Sequence, residues 1–188
     1  PLAHPVAPTP ASAVLSGAMI KAGLLAWLRF LPLGEAAFPA WGLLCLLLGL
    51  LAAFGGVVLG LAQSQAKTVL AYSSISQMGL MTGALGLGLL FPAVWPSVLA
   101  ALCLYALHHG LAKTALFLGV GMAGAEGVWT RRVFVAGLLL PALSLAGAPL
   151  TSGMVGKKLL GGLANAMPSP WAEVFSWTLA GSAVATSV

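Results

Sequence analysis

Charge is the scarcest commodity in this sequence. Only 6% of its 188 residues are charged, and Asp and Glu together number three. A soluble domain carries about 25% charged residues to hydrate its surface. This chain cannot do so, and its exterior must face lipid or other membrane helices. The eight Lys and Arg give a formal charge of +5, yet no basic patch with interleaved aromatics marks a nucleic-acid footprint. Cysteine is also sparse. Cys45 and Cys103 stand alone in apolar runs, which excludes a disulfide framework or a metal motif and reads as two buried small hydrophobes. No acidic or thiolate ligands accompany the histidines at metal spacing, and no cofactor site is expected.

The ends lack signals too. The opening "PLAHPVAPTP" has no starting Met, basic segment or small-residue cleavage site of a signal peptide. The last stretch, "FSWTLAGSAVATSV", stops inside an apolar run. A fragment of a longer membrane subunit is expected.

What is present is apolar sequence, 60% of the chain. Pro, Gly and charge divide it into six stretches near the ~20 residues that cross a bilayer as helix. They predict an all-α polytopic transmembrane bundle, with spans at about 10–31, 41–63, 66–91, 97–124, 133–166 and 171–188. The short alternating segments of a membrane β-barrel are not seen. Gly56 and Gly60, and Gly79 and Gly83, have the spacing that suits close helix approach. Lysine and arginine favour cytoplasmic loops, which places the Lys67 and Arg131/Arg132 loops in the cytoplasm, opposite Arg29, Glu35 and Glu173. A multi-pass protein of the cell inner (plasma) membrane is expected, with Lys67 as an interfacial, snorkelling side chain.

Against this background a few polar residues are costly. Lys21 is central in the first span, where insertion scales put a lysine at roughly +2.5 to +3.5 kcal/mol. In "LYALHHGLAKTALFLG", His109 and Lys113 are four apart on one helix face, and Tyr105 continues that face one turn earlier. His108 projects about 100° away, which is poor geometry for a metal shared with His109. The fifth span is interrupted at "LAGAPLTSG". Pro149 removes an N–H and clashes with the preceding turn, so a break is expected over Gly147–Gly153, with Thr151 and Ser152 available to the freed backbone. Lys157 and Lys158 follow it. A broken helix beside an ionisable residue is how transporters build mid-membrane ion sites. The third span adds a polar stripe, with Ser73 and Gln77 on one face and Ser74 nearby. A buried lysine with no acid partner exchanges its proton as its hydration changes, and that makes these bases candidates for a proton relay.

The segments "AHPVAPTPASAVLSGAMIKAG", "KTVLAYSSISQMG", "HHGLAKTALFLG" and "AGAPLTSGMVGK", in that order, resemble the proton-conducting membrane transporter family. It comprises antiporter-like subunits of respiratory complex I, Mrp-type sodium/proton antiporter subunits, and hydrogenase membrane subunits. The first and last segments look most similar to the hydrogenase-4 and formate hydrogenlyase branch. The resemblance implies two inverted repeats, each with one broken helix, of which this chain carries roughly the second. It further implies that Lys21 passes protons between two half-channels, that His109 and Lys113 lie on the central axis, and that Lys157 leads to the exit. Gln77 stands where several relatives have histidine, and Lys158 beside Lys157 leaves two candidates for the exit. Protons would move along Lys21, His109, Lys113 and Lys157, with Tyr105, Ser73, Gln77 and Lys158 as further polar contacts. The expected partners are lipid and the other membrane subunits of a redox-driven complex; no nucleic acid is implied. A sodium/proton antiporter subunit is the second reading, and a non-transporting scaffold the third.

Overall fold

In a bilayer the backbone has no water to bond, so a chain this apolar must satisfy its N–H and C=O groups internally. The computed structural model describes residues 3–122, 128–166 and 169–187, and every regular element among them is helical. A short helix α1 (Ala3–Val6) precedes α2 (Thr9–Val14), which runs through a π-turn (Leu15–Met19) into α3 (Ile20–Phe30). Then follow α4 (Pro39–Leu61), α5 (Ala66–Leu90), α6 (Trp95–Met122), α7 (Val128–Ala146), α8 (Ser152–Gly162) and α9 (Ser169–Ser187). Among the described residues, Thr9–Phe30, Pro39–Leu61 and Pro92–Met122 are long and apolar enough to cross a membrane, and Val135–Ala146 is a shorter apolar helix. The molecule is a helical, multi-pass membrane protein.

The centre of the bundle is α5. Its second half is buried on nearly every side, with Leu80, Met81, Ala84, Leu85 and Leu87 packed against Val98, Leu102 and Tyr105 of α6, Leu160 of α8 and Phe175 of α9. A helix that is apolar all round belongs in such an interior. Small residues bring α4 onto it. A Cβ on Gly79 would lie 2.6 Å from the Gly49 carbonyl oxygen, and one on Gly56 would lie 2.7 Å from the Ser76 nitrogen. Only hydrogen in place of a side chain permits these approaches, the arrangement that membrane helices use for tight packing. The opposite face of α4 exposes Leu47, Leu48, Leu51 and Val58, a surface suited to acyl chains.

The interruption after α7 has a well-defined cause. Gly147 takes a positive φ of 86°, its N–H bonds the Ser144 carbonyl at 3.0 Å, and the Ala148 N–H bonds Leu143 at 2.9 Å. This pair of bonds is the Schellman stop, which favours glycine. Pro149 follows the stop, while Pro141 sits inside α7 without ending it. The α8 N-terminus is then capped by Thr151, whose Oγ1 accepts from the Met154 N–H at 3.4 Å.

Two expectations need correction. Cys45 is half-buried and Cys103 exposed, since both sit on outward helix faces and not in the core. Helix α7 already covers Val128–Ala146, so Arg132 lies on a helix and not in a loop; the side chain of Arg131 is outside the described residues.

Candidate functional site

Helix α6 carries the polar residues, and its neighbours supply their partners. Lys113 is fully buried (0% exposed). Its ammonium donates to the Leu70 carbonyl of α5 at 2.7 Å, and the same carbonyl accepts the Ser74 hydroxyl at 3.0 Å. Ser74 Oγ lies 2.7 Å from Ser16 Oγ in the π-turn, and the Ser16 carbonyl accepts from Lys21 Nζ at 2.5 Å. Lys21 and Lys113 are therefore joined by two serines and two backbone carbonyls. The wide turn of a π-segment, a feature frequent at functional sites, brings the Lys21 ammonium back onto its own helix. Gly110 lets α6 close over it, since a Cβ there would sit 2.8 Å from the Gly17 carbonyl oxygen and 4.0 Å from Lys21 Cε. A cavity of about 480 Å³ reaches this cluster, with Ser16, Ser74, Thr82 and His4 on its wall.

One turn before Lys113 on α6, His109 is buried, and neither ring nitrogen has a hydrogen-bond partner among the described residues. It lies within reach of the charges of Lys21, Lys113 and His108. Buried polar atoms are ordinarily partnered, so an imidazole without a partner is a place for water or for a moving proton. Tyr105 donates its hydroxyl to Gln77 Oε1 on α5, leaving Gln77 Nε2 unpartnered.

A second cluster forms at the helix break. His108 Nδ1 lies 3.0 Å from Ser152 Oγ and 3.4 Å from Ser144 Oγ, and the two hydroxyls are 3.1 Å apart. Lys157 Nζ donates to the Ala146 carbonyl at 2.8 Å. That carbonyl is among the last four of α7, which have no helical donor and lie at the negative end of the helix dipole. Lys158 is exposed. Gly153 passes so close to α7 that a Cβ would fall on the Ser144 carbonyl. Pro149 is exposed and makes no such contact.

Four lysines share one solution. Lys21, Lys113, Lys157 and Lys67, the last at 2.9 Å from the Ala7 carbonyl, each rest on a backbone oxygen. Such an oxygen accepts from an ammonium or from a neutral amine, so the contact survives loss of a proton.

The structure thus gathers Lys21 and Lys113 in one cluster and ties Lys157 to the end of α7, while Tyr105 pairs with Gln77 and His109 joins neither hydrogen-bond network among the described residues. Ser73 makes no side-chain hydrogen bond among the described residues. Ser74, noted in the sequence only as lying near Gln77, makes the hydrogen bonds instead, to Ser16 and to the Leu70 carbonyl. Ser16, Ser144, Ser152 and His108 were not singled out as site residues. Their roles depend on helix neighbours that local spacing does not reveal.

A family model described as NADH:quinone oxidoreductase/Mrp antiporter, transmembrane, matches residues 1–182. Hydrogenase-4 component B of Escherichia coli is 34% identical over 129 residues, covering 64% of this chain and 19% of its own length. A putative antiporter subunit mnhA2 of Staphylococcus saprophyticus is 35% identical over 175 residues, covering 81% of this chain and 22% of its own. The chain spans about a fifth of the length of these curated relatives. Its fold matches a chain in the structure of the Mrp complex from Dietzia sp. DQ12-45-1b with a TM-score of 0.75 at 24% identity, covering 95% of this chain and 35% of that one.

Proposed function

The chain belongs to the NADH:quinone oxidoreductase/Mrp antiporter transmembrane family, and from that premise we propose that it moves protons as part of an antiporter-like subunit of a redox-driven membrane complex. On this reading it crosses an inner membrane six times, α7 and α8 forming one discontinuous span, with the connections that precede α5 and α7, next to Lys67 and to Arg131 and Arg132, in the cytoplasm. It corresponds to about the second of two inverted repeats and packs against other membrane subunits.

The observation that carries the proposal is the link between Lys21 and Lys113. Two intramembrane lysines meet through serine hydroxyls and carbonyl oxygens. Intramembrane ionisable groups are expensive and mark ion or proton paths. When Lys21 gives up a proton and Lys113 gains it, one amine becomes neutral and the other charged. The Ser16 and Ser74 hydroxyls, able to donate and accept, lie between them. His109 then stands between this pair and the break, and Lys157 is the outgoing residue, its ammonium turned to the break while Lys158 points away.

A sodium/proton antiporter is the second reading, favoured by relatives named antiporter subunits and by the fold of the Mrp complex chain. The test is Lys21→Ala in the complex that contains this chain, reconstituted in sealed vesicles. Normal assembly with proton uptake lowered at least tenfold is expected. Unchanged uptake would overturn the proposal, loss of assembly would point to a scaffold role, and uptake that requires sodium would select the antiporter.

A further inference from the structure

The residue that touches both sides of the helix break is not His109 but its neighbour. We infer that His108 is a second proton-carrying residue, delivering protons from α6 to Lys157 across the gap between α7 and α8. The inference rests on the proton-moving reading above and adds a residue to it.

The geometry is specific. One imidazole nitrogen meets Ser144 in the last turn of α7 and Ser152 in the first turn of α8, and the hydroxyls bond each other. Gly153 makes room for the ring, as a Cβ there would lie 3.1 Å from Cε1 of His108. Lys157 Nζ is held on the Ala146 carbonyl, two residues beyond Ser144.

The surroundings can hold water. A cavity of about 350 Å³ opens beside the ring, with Ser144, Ser152, Gly137 and Pro141 on its wall. Pro141 sits inside α7 and has no N–H, so the Gly137 carbonyl lacks its helical donor. His108, Ser144, Ser152 and the Gly137 carbonyl are the polar groups on this otherwise apolar wall, and a bridging water needs two to four such partners. In the step inferred, His108 imidazolium releases one proton through the Ser152 hydroxyl and water to the neutral amine of Lys157. A neutral imidazole and an ammonium result, and no electrons move. The titratable groups around His108 are Lys157 on α8, and His109 and Tyr105 on its own helix, the Tyr105 ring centroid being 5.9 Å away.

A purely structural histidine at this place would do no more than tie the break together. His108→Asn separates the roles, because the amide keeps a hydrogen bond to the serines and does not titrate. In the assembled complex in vesicles, H108N is expected to lower proton uptake at least tenfold with unchanged thermal unfolding, and to flatten the pH dependence of uptake between pH 5 and 8, where an ordinary histidine titrates. Uptake near wild type would overturn the inference. Should H108N fail to assemble, H108Q is read by the same two outcomes. Lys157→Ala run alongside keeps two failures apart. Loss of uptake in K157A with normal uptake in H108N rejects only the role of His108, whereas normal uptake in both rejects the proton path at the break.

Discussion

Replacing Gly153 by Ala is the sharpest test of the break, because it adds one carbon and removes no functional group. The new Cβ would overlap the Ser144 carbonyl oxygen and lie 2.8 Å from its carbon and 3.1 Å from Cε1 of His108. Two of these three neighbours are backbone, so no side-chain rotation relieves the clash, and the first turn of α8 must move off the last turn of α7. Overpacking of this kind costs about 1–3 kcal/mol. The same displacement stretches the Ser152 contacts to His108 and Ser144, now 3.0 and 3.1 Å, at about 0.5–1.5 kcal/mol each. The expected loss is about 2–6 kcal/mol. Gly162→Ala at the far end of the same helix is the control. A Cβ there meets nothing within 4 Å, and the change should stay within about 1 kcal/mol of wild type. Thermal unfolding of the purified subunit in detergent reads both, and proton uptake in vesicles follows the assembled protein. G153A as stable as G162A, with its serine contacts intact, would refute the claim that the two helix ends are fitted together here.

Other expectations follow from the same contacts. Ser74→Ala removes both the Ser16 link and one donor to Leu70 and should slow proton uptake severalfold, while Ser73→Ala should leave it unchanged; equal effects would dissolve the assigned path. Gly79→Val should separate α4 from α5 and cost about 2 kcal/mol or more, read as a lower unfolding temperature. His4 lies ahead of the first span, stacked on Phe117, and burial above all, with neighbouring positive charge from Lys113 and Lys67 among the rest, holds its pKa below the ordinary 6.5. The unfolded chain then binds the extra proton, and stability falls as pH drops below 6.5. In His4→Phe the fall between pH 7 and 5 should shrink; an unchanged slope would place its cause elsewhere.

The helical class was legible because apolar runs of bilayer length between Pro, Gly and charge leave few other solutions. Lys21, Lys113 and Lys157 were legible for the complementary reason, since a lysine in such a run is expensive enough to need a purpose. An interruption was expected over Gly147–Gly153 and assigned to Pro149, whereas α7 ends at Ala146 and it is Gly147 that takes the positive φ. The partners of the lysines were hidden for a physical reason. Leu70, Ala146 and the carbonyl of Ser16 act through backbone oxygens that any residue possesses, and no side-chain pattern announces them. His108 was set aside as the wrong face for a metal shared with His109. That face was the one turned towards the break.

The seat of Lys157 on the end of α7 has a mechanical consequence. Its acceptor belongs to one helix and its side chain to the next, so the contact measures the separation of two rigid rods across a five-residue joint at 147–151. Any tilt of one rod against the other lengthens or shortens that single bond and alters how firmly the nitrogen keeps its proton. The contact is stronger from the charged amine than from the neutral one, since a charged donor makes the stronger hydrogen bond.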